Sequence, residues 1–133
     1  MDYKVFTSNL SNLKAYKKNR DELEEELEVL LYEMTGVKGV SFDHIPMSFN
    51  PEFASLKKLD LIDKYDDKLR EFNFICMAIE ETERILAKMP DRLREMLTDA
   101  YIRHMSFQRL GMKHGYTDGG MWAYLQRETE KYL

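Results

Sequence analysis

The chain has 133 residues, 44% apolar and 33% charged, with 20 Lys plus Arg against 24 Asp plus Glu and a formal net charge of −4. Such a length suits one domain, or a long helical element carrying a small module. Six Gly and three Pro are too few for an all-β sandwich, which turns every ~8–12 residues, and no stretch approaches the roughly 18 apolar residues of a membrane span.

Net acidity argues against non-specific coating of nucleic acid, because that affinity comes from neutralising phosphates. It leaves room for a small DNA-reading module at one end. The lone cysteine, Cys76, forms no intramolecular disulfide and fits a reducing interior. Met1-Asp2-Tyr3-Lys4 leads into Val5-Phe6 and polar sequence without the apolar core of a secretory signal. A cytoplasmic protein is therefore expected.

Charge divides unevenly along the chain. Residues 1–90 hold 13 basic and 18 acidic side chains, and residues 91–133 hold 7 and 6. Gly111, Gly115, Gly119 and Gly120 cluster in the second part. Pro90 is the expected boundary between a helical hairpin, 1–89, and a compact tail, 90–133.

From Asn9 to Met34, Leu13, Tyr16, Leu23, Leu27, Leu30 and Met34 recur at 3-4 spacing, broken by Arg20, which predicts an amphipathic helix. Thr35-Gly36 is its stop, and an ordered loop is expected near 35–50. Asn50-Pro51-Glu52 reads as a cap, first residue and dipole-compensating acid of a second helix. Its apolar stripe is Leu59, Ile62, Tyr65, Leu69, Phe72, Cys76, Ile79 and Leu86. Two helices of ~25 and ~38 residues, at 1.5 Å per residue, suit a long, coiled-coil-like antiparallel hairpin closed on itself or on a second copy. Their polar faces are acidic, unlike the Lys/Arg-rich face of a membrane-surface helix.

In the tail, Asp91 is expected to cap a helix reaching Ile102, with Leu93, Met96, Leu97, Ala100 and Tyr101 as its apolar face. His104-Met105 makes a turn, Ser106 caps a short helix through Phe107 and Leu110, and Gly111 to Gly115 reads as a break. Thr117 then caps a last helix carrying Met121, Trp122, Leu125 and Tyr132. Three short helices with glycine-containing turns are a helix-turn-helix pattern. The fold expected is all-α, a hairpin followed by this tail.

The tail resembles region four of bacterial sigma factors, through Arg94-Glu95-Met96-Leu97, Ala100-Tyr101-Ile102, Ser106-Phe107-Gln108-Arg109-Leu110 and Gly115-Tyr116-Thr117. With the long helices, the whole chain resembles phage-borne transcriptional regulators of the ArpU/RinA type and related phage proteins of unknown function. The loop Gly36 to Pro46 and the segment Leu61-Ile62-Asp63-Lys64-Tyr65 belong to that likeness. The resemblance implies a regulator in a bacterial host cell, engaging DNA and/or host RNA polymerase, and dimeric through its hairpin. The candidate DNA contacts are Arg103, Arg109, Lys113, His114, Thr117, Gln126 and Arg127.

One departure weighs against base reading. Direct readout of the major groove uses Arg, Lys, Asn or Gln near the start of the last helix, and here that start is Asp118-Gly119-Gly120-Met121-Trp122. A second reading, that of a protein-interaction module or inhibitor bound to a host protein, therefore stands beside the first. Met121, Trp122 and Tyr124 are its candidate contacts, since aromatic and Met residues are enriched in such surfaces. Trp122 has the alternative role of locking the tail bundle.

The remaining candidates have structural explanations. His44, His104 and His114 lack the close pairing of zinc ligands. Asp60, Asp63, Asp66 and Asp67 are interspersed with lysines, as on a salt-bridged surface. Asp43-His44 has no nucleophile or phosphate-binding loop beside it, and Cys76 is expected in an apolar core. No enzyme, metal or cofactor is expected.

Overall fold

The structure, a computed structural model, describes the backbone of residues 1–35 and 51–133 and the side chains of 1–35 and 59–133. The expected loop near 35–50, the Asn50 cap and the Asp43-His44 pair lie outside the described residues. Every regular element among the described residues is helical: α1 (Tyr3–Ser11), α2 (Leu13–Thr35), α3 (Pro51–Ala87), α4 (Asp91–Leu97), α5 (Phe107–His114) and α6 (Asp118–Glu130). A π-helical segment, Thr98–Ile102, continues α4. No helix among the described residues is long and apolar enough to cross a membrane.

The chain forms two compact units, and they do not part at Pro90. One joins Met1–Lys17 to Met77–Leu133, and the other is Lys18–Cys76. The expected division at 89/90 separates α1 from the tail, whereas α1 packs on the π segment and on α6. Helix α1 extends beyond the helix expected from Asn9. Tyr3, Phe6 and Leu10 recur at 3-4 spacing and are buried, so tertiary packing supports a short helix that would be marginal alone. Asn12 separates α1 from α2 while continuing the hydrogen bonding, donating to Ser8 O at 3.1 Å and accepting from Tyr16 N at 2.8 Å.

The core of the first unit contains Phe6, Leu10, Met96, Leu97, Leu110, Met121 and Leu125, all without solvent exposure. Burying each of these side chains contributes ~1.5–3 kcal/mol before ordering costs. Leu93 and Ala100 lie on the face expected of them, and Ile79, Ile85 and Met89 complete this core. In the second unit Leu23, Leu27, Met34, Leu61 and Ile75 are buried, and Glu26 pairs with Lys68 at 2.9 Å.

The stripe expected on α3 is displaced. Leu59 is exposed, Ile62, Tyr65, Leu69, Phe72, Cys76 and Leu86 are only half-buried, and of that set Ile79 alone is buried. Leu61, Ile75, Thr82 and Ile85 take the buried positions instead. Thr82, though polar, is buried because its hydroxyl donates to Ala78 O at 2.7 Å. Cys76 thus sits at the margin of the core.

Candidate functional site

The tail from α4 to α6 is assembled by local capping chemistry. Ser106 Oγ accepts from Arg109 N at 3.2 Å and starts α5, as the sequence predicts. The start of α4 differs: Pro90 occupies the cap position and Asp91 is the first helical residue, paired with Arg94 one turn on. The expected break from Gly111 to Gly115 shrinks to one residue, because α5 runs on to His114. Gly115 then takes φ +84°, and the N–H groups of Gly115 and Tyr116 both donate to Gly111 O, at 2.7 and 2.8 Å.

Gly111 is required for a different reason. A Cβ there would collide with the Tyr116 carbonyl oxygen, so the chain can fold back over α5 only at a residue without a side chain. Thr117 Oγ1 accepts from Gly120 N at 3.1 Å and starts α6, with Asp118 in its first turn. Tyr116 and Tyr124 stack across the turn at 5.0 Å between ring centroids. Burial first, then the neighbouring Tyr116 and Glu128, push the Tyr124 phenol above its ordinary range.

Asp99, in the π segment, is the hub of the tail's electrostatics. Its side chain has no solvent exposure. Arg103 Nη1 donates to Oδ1 at 2.7 Å, Lys113 Nζ to Oδ2 at 2.7 Å, and His114 Nε2 lies 3.4 Å from Oδ2. Burial alone would raise its carboxyl, but hydrogen bonds from Lys113, Arg103 and His114 outweigh burial and hold it below the usual carboxylate range. The same contact raises the Lys113 ammonium, with Glu95 at 3.4 Å adding to it. The backbone also closes here: Arg103 N donates to Thr98 O at 2.9 Å and Met105 N to Asp99 O at 2.9 Å, leading into His104 at φ 55°.

The candidate DNA contacts therefore divide. Arg103, Lys113 and His114 converge on one buried carboxylate, and Thr117 is occupied as a cap. Gln126 Nε2 donates to Glu130 at 3.2 Å, and Arg127 lies between Glu128 and the Tyr124 ring. Arg109 is exposed on α5 and has no ion pair among the described residues. Of the seven tail cations, Arg94, Arg103, Lys113, Arg127 and Lys131 are ion-paired, leaving Arg92 and Arg109.

The candidate protein contacts also separate. Met121 is a core residue with no exposure, which removes it from any surface patch. Its neighbour Trp122 is 49% exposed, and Tyr124 is half-buried on Tyr116. Trp122 and Gln126 flank a cleft also lined by Tyr3, Lys4 and Tyr101. Of these, the Tyr3 and Tyr101 hydroxyls lie 3.0 Å apart. Burial, then this hydrogen bond, moves the Tyr3 phenol well above the tyrosine range. Sequence reasoning overlooked Asp99, Tyr3 and the exposed Met112; Asp99 and Tyr3 act through partners 14 and 98 residues away. Among the described residues no group of three or more His, Cys, Asp or Glu side chains is placed to hold a metal ion. Compared with protein-family models, curated proteins and solved structures, the chain matches none.

Proposed function

We propose that this chain is a phage- or prophage-type regulator of transcription, acting in the bacterial cytoplasm. Its helix-turn-helix, α5 with α6, would engage DNA and/or the host RNA polymerase. The observation that carries this reading is the turn itself. Gly111 under the Tyr116 carbonyl, Gly115 at positive φ and Thr117 as cap define a short α5–α6 connection, which supports reading α6 as a recognition helix. Arg109 and Arg92, without an ion pair among the described residues, are the tail cations available for phosphate. Helices α2 and α3 would form an antiparallel hairpin whose self-association spaces two tails.

A second reading, contact with a host protein without DNA reading, is favoured by the start of α6. Asp118, Gly119 and Gly120 offer no cation to a base edge, and Trp122, after the buried Met121, stands half-exposed.

DNA binding over a salt series separates the two. A phosphate-contacting regulator loses affinity steeply as salt rises, and Arg109→Ala lowers the magnitude of the salt slope by about 1 for every DNA sequence. Absence of DNA binding even at low salt, together with capture of a host protein other than RNA polymerase that Trp122→Ala abolishes, supports the second reading.

A further inference from the structure

Helix α2 carries a second face that the regulator reading leaves unused. Leu23, Leu27 and Met34 point into the second unit, whereas Glu22, Glu25, Val29 and Tyr32, also at 3-4 spacing, line the outer side. Val29 is 56% and Tyr32 50% exposed. Val29 is common to two adjoining concave surfaces: one continues to Leu30 and the α3 lysines Lys64 and Lys68, the other to Glu28 and Tyr32. The result is an apolar groove edged by carboxylates.

The charges state what this groove lacks. Lys68 is engaged by Glu26 and Lys64 by Asp60. Glu22, Glu25 and Glu28 have no ion pair among the described residues. They repel one another across successive turns, Glu22 with Glu25 and Glu25 with Glu28, an arrangement that destabilises a helix until cations neutralise it. An apolar floor with an uncompensated acidic rim complements a helix with apolar side chains on one face and Lys or Arg beside them.

We infer that this groove on α2 is a docking site for a basic amphipathic helix of another protein, with Val29 and Tyr32 meeting its apolar face and Glu22, Glu25 and Glu28 its cations. The inference goes beyond the regulator reading and is independent of the tail.

The test uses the full chain and fluorescein-labelled synthetic peptides read by anisotropy. One peptide is amphipathic, with Leu on one face and Lys on the other; a second has the same composition scrambled, and a third has Glu for Lys. The amphipathic Lys peptide should bind at least roughly tenfold more tightly than either control and weaken with salt. The triple substitution Glu22→Gln, Glu25→Gln, Glu28→Gln should cost roughly tenfold, and so should Val29→Asp, with helical content unchanged. Equal binding of the scrambled peptide, no binding, or binding indifferent to both variants overturns the inference. So does a dimer of the chain alone, seen in sedimentation, that Val29→Asp dissociates, since the groove would then belong to a second copy. Loss of DNA binding has no bearing on any of these outcomes.

Discussion

Lys113 Nζ lies 2.7 Å from Oδ2 of Asp99, a carboxylate with no solvent exposure, and so joins α5 to the π segment that ends the preceding helix. Two of the cations expected to face phosphate are thereby structural, since Arg103 holds the other oxygen. The arrangement suits a buried acid, because each carboxylate oxygen has a charged donor and both donors reach solvent.

Asp99→Asn should lower stability by about 2 kcal/mol, because both hydrogen bonds lose their ionic character and the new amide donors face cations. Arg103→Met and Lys113→Met should each cost less, since the carboxylate keeps its other partners. Urea denaturation of the three variants checks the order; an Asp99→Asn chain as stable as wild type would remove the hub.

The same cluster sets a pH window. Asp99 is lowered in the folded state, so its contribution is complete above the ordinary carboxylate value of about 3.9 and is lost as pH falls through the lowered one. Lys113 is raised, so its contribution is complete below the ordinary lysine value of about 10.4 and is lost as pH rises through the raised one. Denaturation midpoints should therefore be flat between these limits. The acid limb should be shallower in Asp99→Asn.

Two glycines should respond oppositely to alanine. Gly111→Ala forces a Cβ against the Tyr116 carbonyl and should loosen the α5–α6 turn, lowering the melting temperature. Gly119 is exposed within α6 with open space around it, so Gly119→Ala should stabilise by about 0.5–1 kcal/mol. Thermal melts of the pair suffice, and a stabilised Gly111→Ala would refute the close approach.

The caps offer a local check. Ser106→Ala and Thr117→Ala should each cost about 1 kcal/mol, because each hydroxyl satisfies one otherwise free N–H at a helix start. Hydrogen exchange should speed at Arg109 N in the first variant and at Gly120 N in the second.

What was legible in the chain was what neighbouring residues decide. Ser106 and Thr117 each cap through a bond three residues long, and Gly115 ends α5 at its own φ, so these features can be read from a few adjacent positions. Asp99 escaped notice because an aspartate between Thr98 and Ala100 looks like helix surface until Lys113 is brought to it. The α3 stripe was misplaced because that helix carries apolar residues on more than one face, and only packing selects Leu61 over Leu59. Met121 and Trp122 are adjacent, so helical geometry sends them in different directions; composition alone grouped them as one patch.

The Tyr3–Tyr101 contact spans 98 residues, which puts α1 out of step with the order of synthesis. Phe6 and Leu10 leave the ribosome well before the π segment and α6, on which α1 packs. Until then the apolar ridge of α1 has nothing to pack against. A contact closing so wide an interval forms slowly, and the ridge stays open to aggregation in the meantime. Moving α1 to follow α6 through a flexible linker would shorten that wait, and refolding of such a rearranged chain should be faster than that of the natural order.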